Sequence, residues 1–429
     1  MSNNGNNSLK GKTMYLHPMT RGGATLLAAT FRSIDVNARI LPPSDPNTLD
    51  LGNMYSSGEE CLPEKVTLGD YIKITESEGF DPDNTVFLMP TANGPCRFGQ
   101  YVHLLKSILK KRKMENIRII SPSSQDGYSE IEGANLTFFR TAWIGLIASD
   151  IIRKMLLKTR PYEKNAGDTD RVYEEGLAKL EIILEQKEIN FGKRMSLLRE
   201  KLIEIRDDFR AIDADYDKSK PLIGVIGEIF CRLNRFANED MIRKLEEHGA
   251  ETWIADVGEW IFYTDWLRSN TMIRQGKKFS GKMALAKLKN YFMKKDEHVL
   301  LEPFHDDFIG YEEPANPEII VDLGRPYLPA DGALGEMAIS IGRSIYLYTK
   351  GVDGIVDISP FSCMNGIVSE AIYPSLSRDY DNIPCRVFYY DGINIDLDRD
   401  IGIYMELVKG YKSQKKEARI YPPNFKIRI

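Results

Sequence analysis

Three cysteines, spread over most of the 429-residue chain, have the residue type and local context for metal chemistry. They are Cys61 in EECLPEKV, Cys96 in GPCRFGQY and Cys363 in SPFSCMNG, and each stands where we expect a helix to begin after a strand or loop. The N-terminus of a helix stabilises a thiolate, which is the form that binds iron. Three thiolates leave one iron of a [4Fe-4S] cluster open, so this pattern is typical of a redox site if the fold gathers the three loops.

The neighbours of the cysteines favour the thiolate unequally. Arg97 adds a cation beside Cys96, whereas Glu59 and Glu60 precede Cys61 and disfavour its charged form. Iron or the helix dipole must therefore compensate at Cys61.

The two other cysteines fit a packing role better. Cys231 is expected at the end of a buried strand, and Cys385 begins an apolar strand. No Cys-x-x-Cys pair occurs, and five cysteines in a chain of this length do not indicate a disulfide framework. Whether Cys231 or Cys385 adds a fourth ligand stays open.

Composition sets the class of protein. With 42% hydrophobic and 28% charged residues, the chain can bury substantial cores, and its length predicts two or three domains. A net charge of −5 lacks the basic footprint of nucleic-acid binding. The polar start and the charge-interrupted apolar stretch 142–157 predict a cytoplasmic protein without a membrane span or membrane partner.

Strand, turn and helix signals alternate along most of the chain, as in residues 13–42, 85–122 and 221–257. This βαβ pattern predicts an α/β fold of repeated flavodoxin-like, doubly wound and largely parallel sheets, with function at the carboxyl ends of the strands. We expect an N-terminal α/β domain with Cys61 and Cys96, a helical connector or lid, and a C-terminal α/β region with Cys363, over residues 1–160, 161–218 and 219–429.

Other polar groups near expected strand ends admit two interpretations each. Glu228 and Arg232 are placed either for ligand contact or for an internal ion pair, and His17 either for proton donation or for a structural role. Glu370 lies two helical turns beyond Cys363 or is a surface charge. The segment GKKFSGKM (276–283) has Walker spacing, but Met283 replaces the hydroxyl residue that holds Mg²⁺, which indicates an ordinary basic loop.

The segments around the cysteines resemble a known family. Residues 60–70, 94–101, 225–251 and 353–374 are similar to the D component of 2-hydroxyacyl-CoA dehydratases, to its double-cubane relatives and to the C-terminal region of activase-like proteins. The likeness runs from about Met14 to Val408. Departures from the family pattern are Cys231, where relatives carry an aliphatic residue, and the CMNG sequence at Cys363.

The resemblance implies a flavodoxin-like subunit that holds a [4Fe-4S] cluster on Cys61, Cys96 and Cys363, either singly or as a bridged double cubane across a dimer. It also implies a homo- or heterodimer and a partner, an ATP-hydrolysing activator of the actin-like superfamily, that supplies a low-potential electron. The chain itself lacks an actin-type phosphate loop.

Three functions remain open at this point. The first is a component of an activator-dependent reductase or dehydratase. The second is a cluster scaffold or electron-relay subunit without a substrate site, and the third is a metal-free nucleotide- or CoA-binding protein.

Overall fold

The computed structural model describes residues 9, 11–92, 96–123, 131, 135–329, 335–393 and 396–425. Its chain divides into two compact units, Met1–Ser149 with Leu177–Lys201, and Asp150–Gly176 with Leu202–Ile429. Gly94 and Pro95, which precede Cys96, lie outside the described residues.

Four parallel strands form the sheet of the first unit: β1 (Thr13–Leu16), β2 (Asn37–Ile40), β3 (Thr85–Leu88) and β4 (Arg118–Ile120). They pair in the order β2-β1-β3-β4. The helices between them are α1 (Arg21–Arg32), α2 (Pro46–Met54), α3 (Leu62–Thr75) and α4 (Tyr101–Lys111), with 3-10 turns at Pro82–Asn84 and Arg97–Gln100.

Three longer helices contribute residues to both units: α5 (Leu136–Thr159), α6 (Asp168–Leu184) and α7 (Phe191–Arg210). A 3-10 turn at Arg160–Tyr162 follows α5.

The second unit repeats the strand order. Its parallel strands β5 (Leu222–Gly227), β6 (Glu251–Ile254), β7 (Gly354–Pro360) and β8 (Cys385–Tyr390) pair in the order β6-β5-β7-β8. The remaining helices are α8 (Ile229–Leu233), α9 (Met241–Glu247), α10 (Val257–Arg274), α11 (Gly281–Leu301), α12 (Pro317–Gly324), α13 (Met337–Thr349), α14 (Met364–Asp379) and α15 (Leu397–Lys412), with a 3-10 turn at Glu302–Phe304.

Burial of both sheet faces explains the parallel arrangement. Successive residues of a strand point to opposite faces, and in β3 both faces are apolar. Val86 and Leu88 pack into one hydrophobic cluster, and Phe87 packs into another. Strands β5 and β7 are buried along their whole length, whereas the edge strand β8 is only partly buried. The predicted α/β fold of repeated flavodoxin-like sheets is confirmed.

A segment after α15 closes the amino-terminal edge of the second sheet. Arg419 is buried and donates to Glu251, the fully buried first residue of β6, at 2.6 Å. The hydroxyl of Tyr311 contacts both side chains, and the Phe425 ring packs on the ring of Tyr162. The segment is thus part of the core of this unit.

Within the described ranges, we find no helix long and apolar enough to cross a bilayer.

Candidate functional site

The three predicted cysteines share one backbone position. Cys61, Cys96 and Cys363 are the N-cap residues of α3, of the 3-10 turn that leads into α4, and of α14. All three have extended backbone angles, with φ near −70° and ψ of 155°, 133° and 122° respectively. The Cys61 and Cys96 side chains do not cap their helical turns by a hydrogen bond. Each of the three sulfurs lies at the positive end of a helical turn.

Cys363 lies just past the carboxyl end of β7, at the place where α/β folds hold ligands. Ser362, in a left-handed conformation with φ of 65°, turns the chain from the strand into α14. Removal from water, together with the nearby carboxylates of Glu228 and Glu336, raises the pKa of the half-buried Cys363 thiol to about 12. The backbone N–H groups of Asn365 and Gly366 donate toward the sulfur and act in the opposite direction. The thiol alone is therefore protonated at neutral pH.

Two carboxyl groups lie beside Cys363 at the ends of strand and helix. Glu228 follows β5 and accepts from the backbone N–H groups of Phe230 and Cys231 at 3.0 and 2.8 Å. Glu336 is the N-cap of α13 and accepts from the N–H of Ile229 at 3.0 Å.

Burial has the largest effect on the pKa of these two groups, and the charge of Glu228 adds to that effect at Glu336. Loss of hydration raises the pKa of Glu228 and raises that of Glu336 well above its usual value, and the charge of Glu228 raises the pKa of Glu336 further. The buried guanidinium of Arg232 acts in the opposite direction on both carboxyl groups. Burial thus favours the neutral, protonated form of both carboxyl groups.

In the first unit, a tyrosine joins the two cysteine loops. The Cys61 sulfur lies 3.0 Å from the Tyr101 hydroxyl, and either group can be the donor. Tyr101 is the first residue of α4, directly after the turn Arg97–Gln100 that Cys96 precedes. Cys61 and Phe98 pack against the same hydrophobic cluster, which also contains Tyr101. Cys96 itself is exposed.

A buried glutamate interacts electrostatically with residues of both cysteine loops. Glu64 lies three residues after Cys61 in α3 and is only 4% exposed. Loss of hydration and the charge of Glu60 raise its pKa to about 7, against the opposing effect of Arg97, the neighbour of Cys96. The sequence does not reveal this titration, because it depends on α3 and the turn before α4 lying side by side.

Two of the cysteines begin a repeated Cys-x-x-Gly pattern, which is visible in the sequence but gains its meaning only from the structure. Cys96 is followed by Gly99, and Cys363 by Gly366. A side chain at Gly99 would meet the Ala92 carbonyl oxygen at 2.6 Å, and one at Gly366 would meet the Ser359 hydroxyl at 2.6 Å. Glycine thus lets each helical start lie close against the chain that precedes it.

His17 and Asp70 form a separate polar cluster at the end of β1. His17 Nε2 lies 3.0 Å from a carboxylate oxygen of Asp70, which is fully buried in α3. The hydroxyls of Ser44 and Thr48 donate to the same carboxylate at 2.6 and 2.7 Å. These contacts hold α3, and with it Cys61, against the sheet.

The remaining predicted groups lie as follows. Cys231 is fully buried in α8, where its thiol donates to Glu228, and Cys385 begins β8, where burial and then Asp357 raise the pKa of its thiol. Glu370 is exposed on α14 and accepts from the Tyr389 hydroxyl at 2.8 Å. The GKKFSGKM segment is a turn followed by α11, whose N-cap Ser280 accepts from the N–H of Met283.

The structure divides the cysteines between the units: Cys61 and Cys96 belong to the first and Cys363 to the second. Across the parts of the chain that the structure describes, no three His, Cys, Asp or Glu side chains form a group that could hold a metal ion. Convergence of the three sulfurs on one cluster stays a prediction.

Parallel pairing and strand order together define an α/β protein with two flavodoxin-like sheets. No family model matches the chain. No curated protein matches it significantly. The candidate site therefore has to be interpreted from its own residues.

Proposed function

We propose that this protein is the iron-sulfur component of a low-potential reductase or 2-hydroxyacyl-CoA dehydratase-like system, with Cys61, Cys96 and Cys363 as the ligands of a [4Fe-4S] cluster. The observation that carries the proposal is the shared N-cap position of the three cysteines, each with extended backbone at the start of a helical turn. Such a cluster supplies a low-potential electron and one iron without a protein ligand.

Two of the sulfurs have hydrogen-bond donors nearby, of the kind that stabilise the sulfurs of an iron-sulfur cluster. Backbone N–H groups at Asn365 and Gly366 stabilise negative charge on the Cys363 sulfur, and hydrogen bonds to cluster sulfurs raise the reduction potential. The Tyr101 hydroxyl does the same at Cys61. Cys363 would have to lose its thiol proton to hold iron, because its pKa of about 12 keeps that proton in place at neutral pH.

Such chemistry also requires a proton donor, and the carboxyl pair of Glu228 and Glu336 is suited to this role. Burial favours the protonated form of both groups, which is the form that can donate to a leaving oxygen or to a reduced product, and Arg232 limits the cost of the charge that remains. The chain carries no actin-type phosphate loop, so hydrolysis of ATP falls to a partner activator of the actin-like superfamily.

Anaerobic purification with iron and sulfide counted per chain tests the proposal. We expect about four irons per chain, or about eight and a ninth sulfide per bridged pair. Cys61→Ser, Cys96→Ser and Cys363→Ser each lose most of the iron, whereas the matched control Cys231→Ser keeps it. Iron-free protein after anaerobic reconstitution, or equal iron in Cys96→Ser and Cys231→Ser, contradicts the proposal.

Two other outcomes favour the other functions. Full iron without turnover in the presence of activator, ATP and an acyl-CoA indicates a scaffold or electron relay. Absence of iron together with saturable binding of CoA or a nucleotide indicates a metal-free binding protein.

A further inference from the structure

A hairpin of two helices in the second unit concentrates positive charge and exposed apolar side chains. This basic hairpin comprises residues 266–295, from the second half of α10 to most of α11. It contains no acidic residue, although the whole chain has a net charge of −5. Its nine basic residues are Arg268, Arg274, Lys277, Lys278, Lys282, Lys287, Lys289, Lys294 and Lys295. Of these, Lys289 forms an ion pair at 2.9 Å with Asp265, which directly precedes the hairpin.

Large apolar side chains lie exposed among these cations. Phe279, in the turn between the helices, is 96% exposed, and Leu285, Leu288 and Tyr291 on α11 are 68%, 52% and 61% exposed. Spacings of three residues place the last three along one side of α11. Isolated exposed apolar residues need no explanation, but a row of them flanked by lysines is typical of a binding surface.

The carboxyl edge of the second sheet shows the opposite charge. Phe361, Met364 and Ile367 around Cys363 and Ile393 after β8 are all exposed. Together with Glu370, Asp391 and Asp396 they form what we call the strand-end patch. Residues 354–377 and 387–398, which supply it, contain no lysine or arginine.

The patch is continuous, because its two loops follow neighbouring strands. The N–H of Phe361 donates to the carbonyl of Tyr390 at 2.7 Å, and the Phe361 ring lies 6.4 Å from that of Tyr389. Its acids accept from neutral donors: Glu370 from a tyrosine hydroxyl, and Asp391 and Asp396 from backbone N–H groups. Among the described contacts, none of the three acids forms an ion pair, so their charge is available to a cation from outside.

We infer that a second copy of this chain binds here, with the basic hairpin of one copy on the strand-end patch of the other. Both surfaces combine an apolar centre with charges of one sign, and the two signs are opposite. Both are exposed on the same chain, so neither covers the other within one copy. A pair with two-fold symmetry uses this contact twice, because each copy offers both surfaces. Burial of the apolar side chains supplies most of the affinity, and the charges select the orientation.

Charge reversal on each side tests the contact. The hairpin variant carries Lys277→Glu, Lys278→Glu, Lys282→Glu and Lys287→Glu, and the patch variant carries Glu370→Lys, Asp391→Lys and Ile393→Lys. Sedimentation velocity of the full chain should show a dimer for the wild type, weakened at least ~10-fold by raising the salt from about 50 to about 500 mM. Each variant alone should stay monomeric up to about 100 µM, a loss that repulsion in both copies of the contact predicts.

An equimolar mixture of the two variants is the decisive sample. One contact pairs the acidic hairpin of the first variant with the basic patch of the second, and the other pairs the unchanged hairpin with the unchanged patch. The mixture should therefore regain the dimer. A matched control with Lys106→Glu, Lys110→Glu, Lys111→Glu and Lys113→Glu on and after α4 applies the same change of charge outside the contact and should dimerise like the wild type. Far-ultraviolet circular dichroism establishes that each variant is folded.

Several results overturn the inference. A wild type that is monomeric at about 100 µM in low salt excludes an affinity of biological use. A mixture that stays monomeric while both variants are folded excludes the pairing. A monomer that instead sediments with phosphatidylserine vesicles, and loses this in the hairpin variant, assigns the hairpin to an anionic lipid surface. None of these results depends on the iron content of the chain.

Discussion

The two sheets have the same strand order, and equivalent positions at their carboxyl edges carry different chemistry. After the first strand of each sheet stand His17 and Glu228. The N-cap of the helix that leads into the third strand is Cys61 in the first unit and Glu336 in the second. After the third strand stand Cys96 and Cys363.

This comparison separates what topology determines from what it leaves to the sequence. A doubly wound sheet places helix N-termini and strand ends along one edge, and polar groups there meet a ligand whatever their type. The first unit places two sulfurs at this edge, one of them 3.0 Å from the Tyr101 hydroxyl, whereas the second surrounds one sulfur with two carboxyl groups and an arginine. The two edges therefore differ in the groups that surround their sulfurs.

The largest expected effect on stability concerns the buried arginine of α13, the helix of the second unit that is equivalent to α3. Arg343 in α13 is 1% exposed and contacts Glu259 at 3.0 Å and Glu313 at 2.6 Å. Arg343→Met leaves the carboxylate of Glu259 without its cation. It also removes one of the two cations of Glu313, which keeps Lys154. We therefore expect a loss of about 3–5 kcal/mol in the free energy of unfolding. Urea unfolding followed by tryptophan fluorescence measures it.

The exposed pair of Arg325 with Asp322 provides the control, since Arg325→Met should cost under about 0.5 kcal/mol. If Arg343→Met costs as little as the control, α13 does not depend on its internal ion pairs.

A smaller effect is expected at the glycine that follows Cys363. In Gly366→Ala, the new methyl group meets the Ser359 hydroxyl and Cβ at 2.6 and 2.7 Å, so the first turn of α14 must move away from β7. We expect a loss of about 1–3 kcal/mol in stability. Faster alkylation of Cys363, followed by mass spectrometry, should accompany it, because the shift exposes the thiol.

Gly410→Ala in α15 is the matched control, because nothing lies within 4 Å of its new methyl group. A helical alanine at an open position should stabilise the protein by about 0.4–1 kcal/mol. Equal behaviour of the two variants would show that the close contact under α14 is not a constraint.

The smallest effect on stability is expected at Glu64, the buried acid of the first unit, whose raised pKa can be compared with those of Glu228 and Glu336 in the second unit. The pKa of Glu64 is raised from 4.5 to about 7, so the folded chain keeps a proton that the unfolded chain loses. Stability therefore falls as the pH rises from 4.5 to 7 and stays low above it. Glu64→Gln removes this cost and should be more stable than the wild type by about 1–3 kcal/mol at pH 8, with little difference at pH 4.

Glu60 supplies a control of opposite sign. Burial raises its pKa slightly, but hydrogen bonds from Ser57 and Gly58 lower it overall. Glu60→Gln should therefore lose stability at pH 8 and not at pH 4. Thermal unfolding at the two pH values distinguishes the variants, and the same sign for both would contradict the assignment at Glu64.

Local patterns predict the fold well, because strand and helix signals are local. Alternation of apolar strands with helices indicates two parallel sheets, and helix-start signals at Cys61, Cys96 and Cys363 agree with the N-caps of the structure. Glu336 and Glu64 escape prediction because their importance arises from neighbours distant in sequence. The Cys-x-x-Gly pattern lies in the sequence, but its meaning depends on how closely each helix approaches the chain before it.

The ion pair between Glu251 and Arg419 has a consequence for biosynthesis, because it joins residues 168 positions apart. A nascent chain that has emerged through α15 contains all four strands of the second sheet but still lacks the cation for a fully buried carboxylate. In such a chain the carboxylate of Glu251 lacks its ion-pair partner and keeps only the hydroxyls of Tyr162 and Tyr311, and the surface that Phe425 covers is exposed. We therefore expect the second unit to be stable only after Arg419 has been synthesised, and products truncated before it to become substrates for chaperones and proteases.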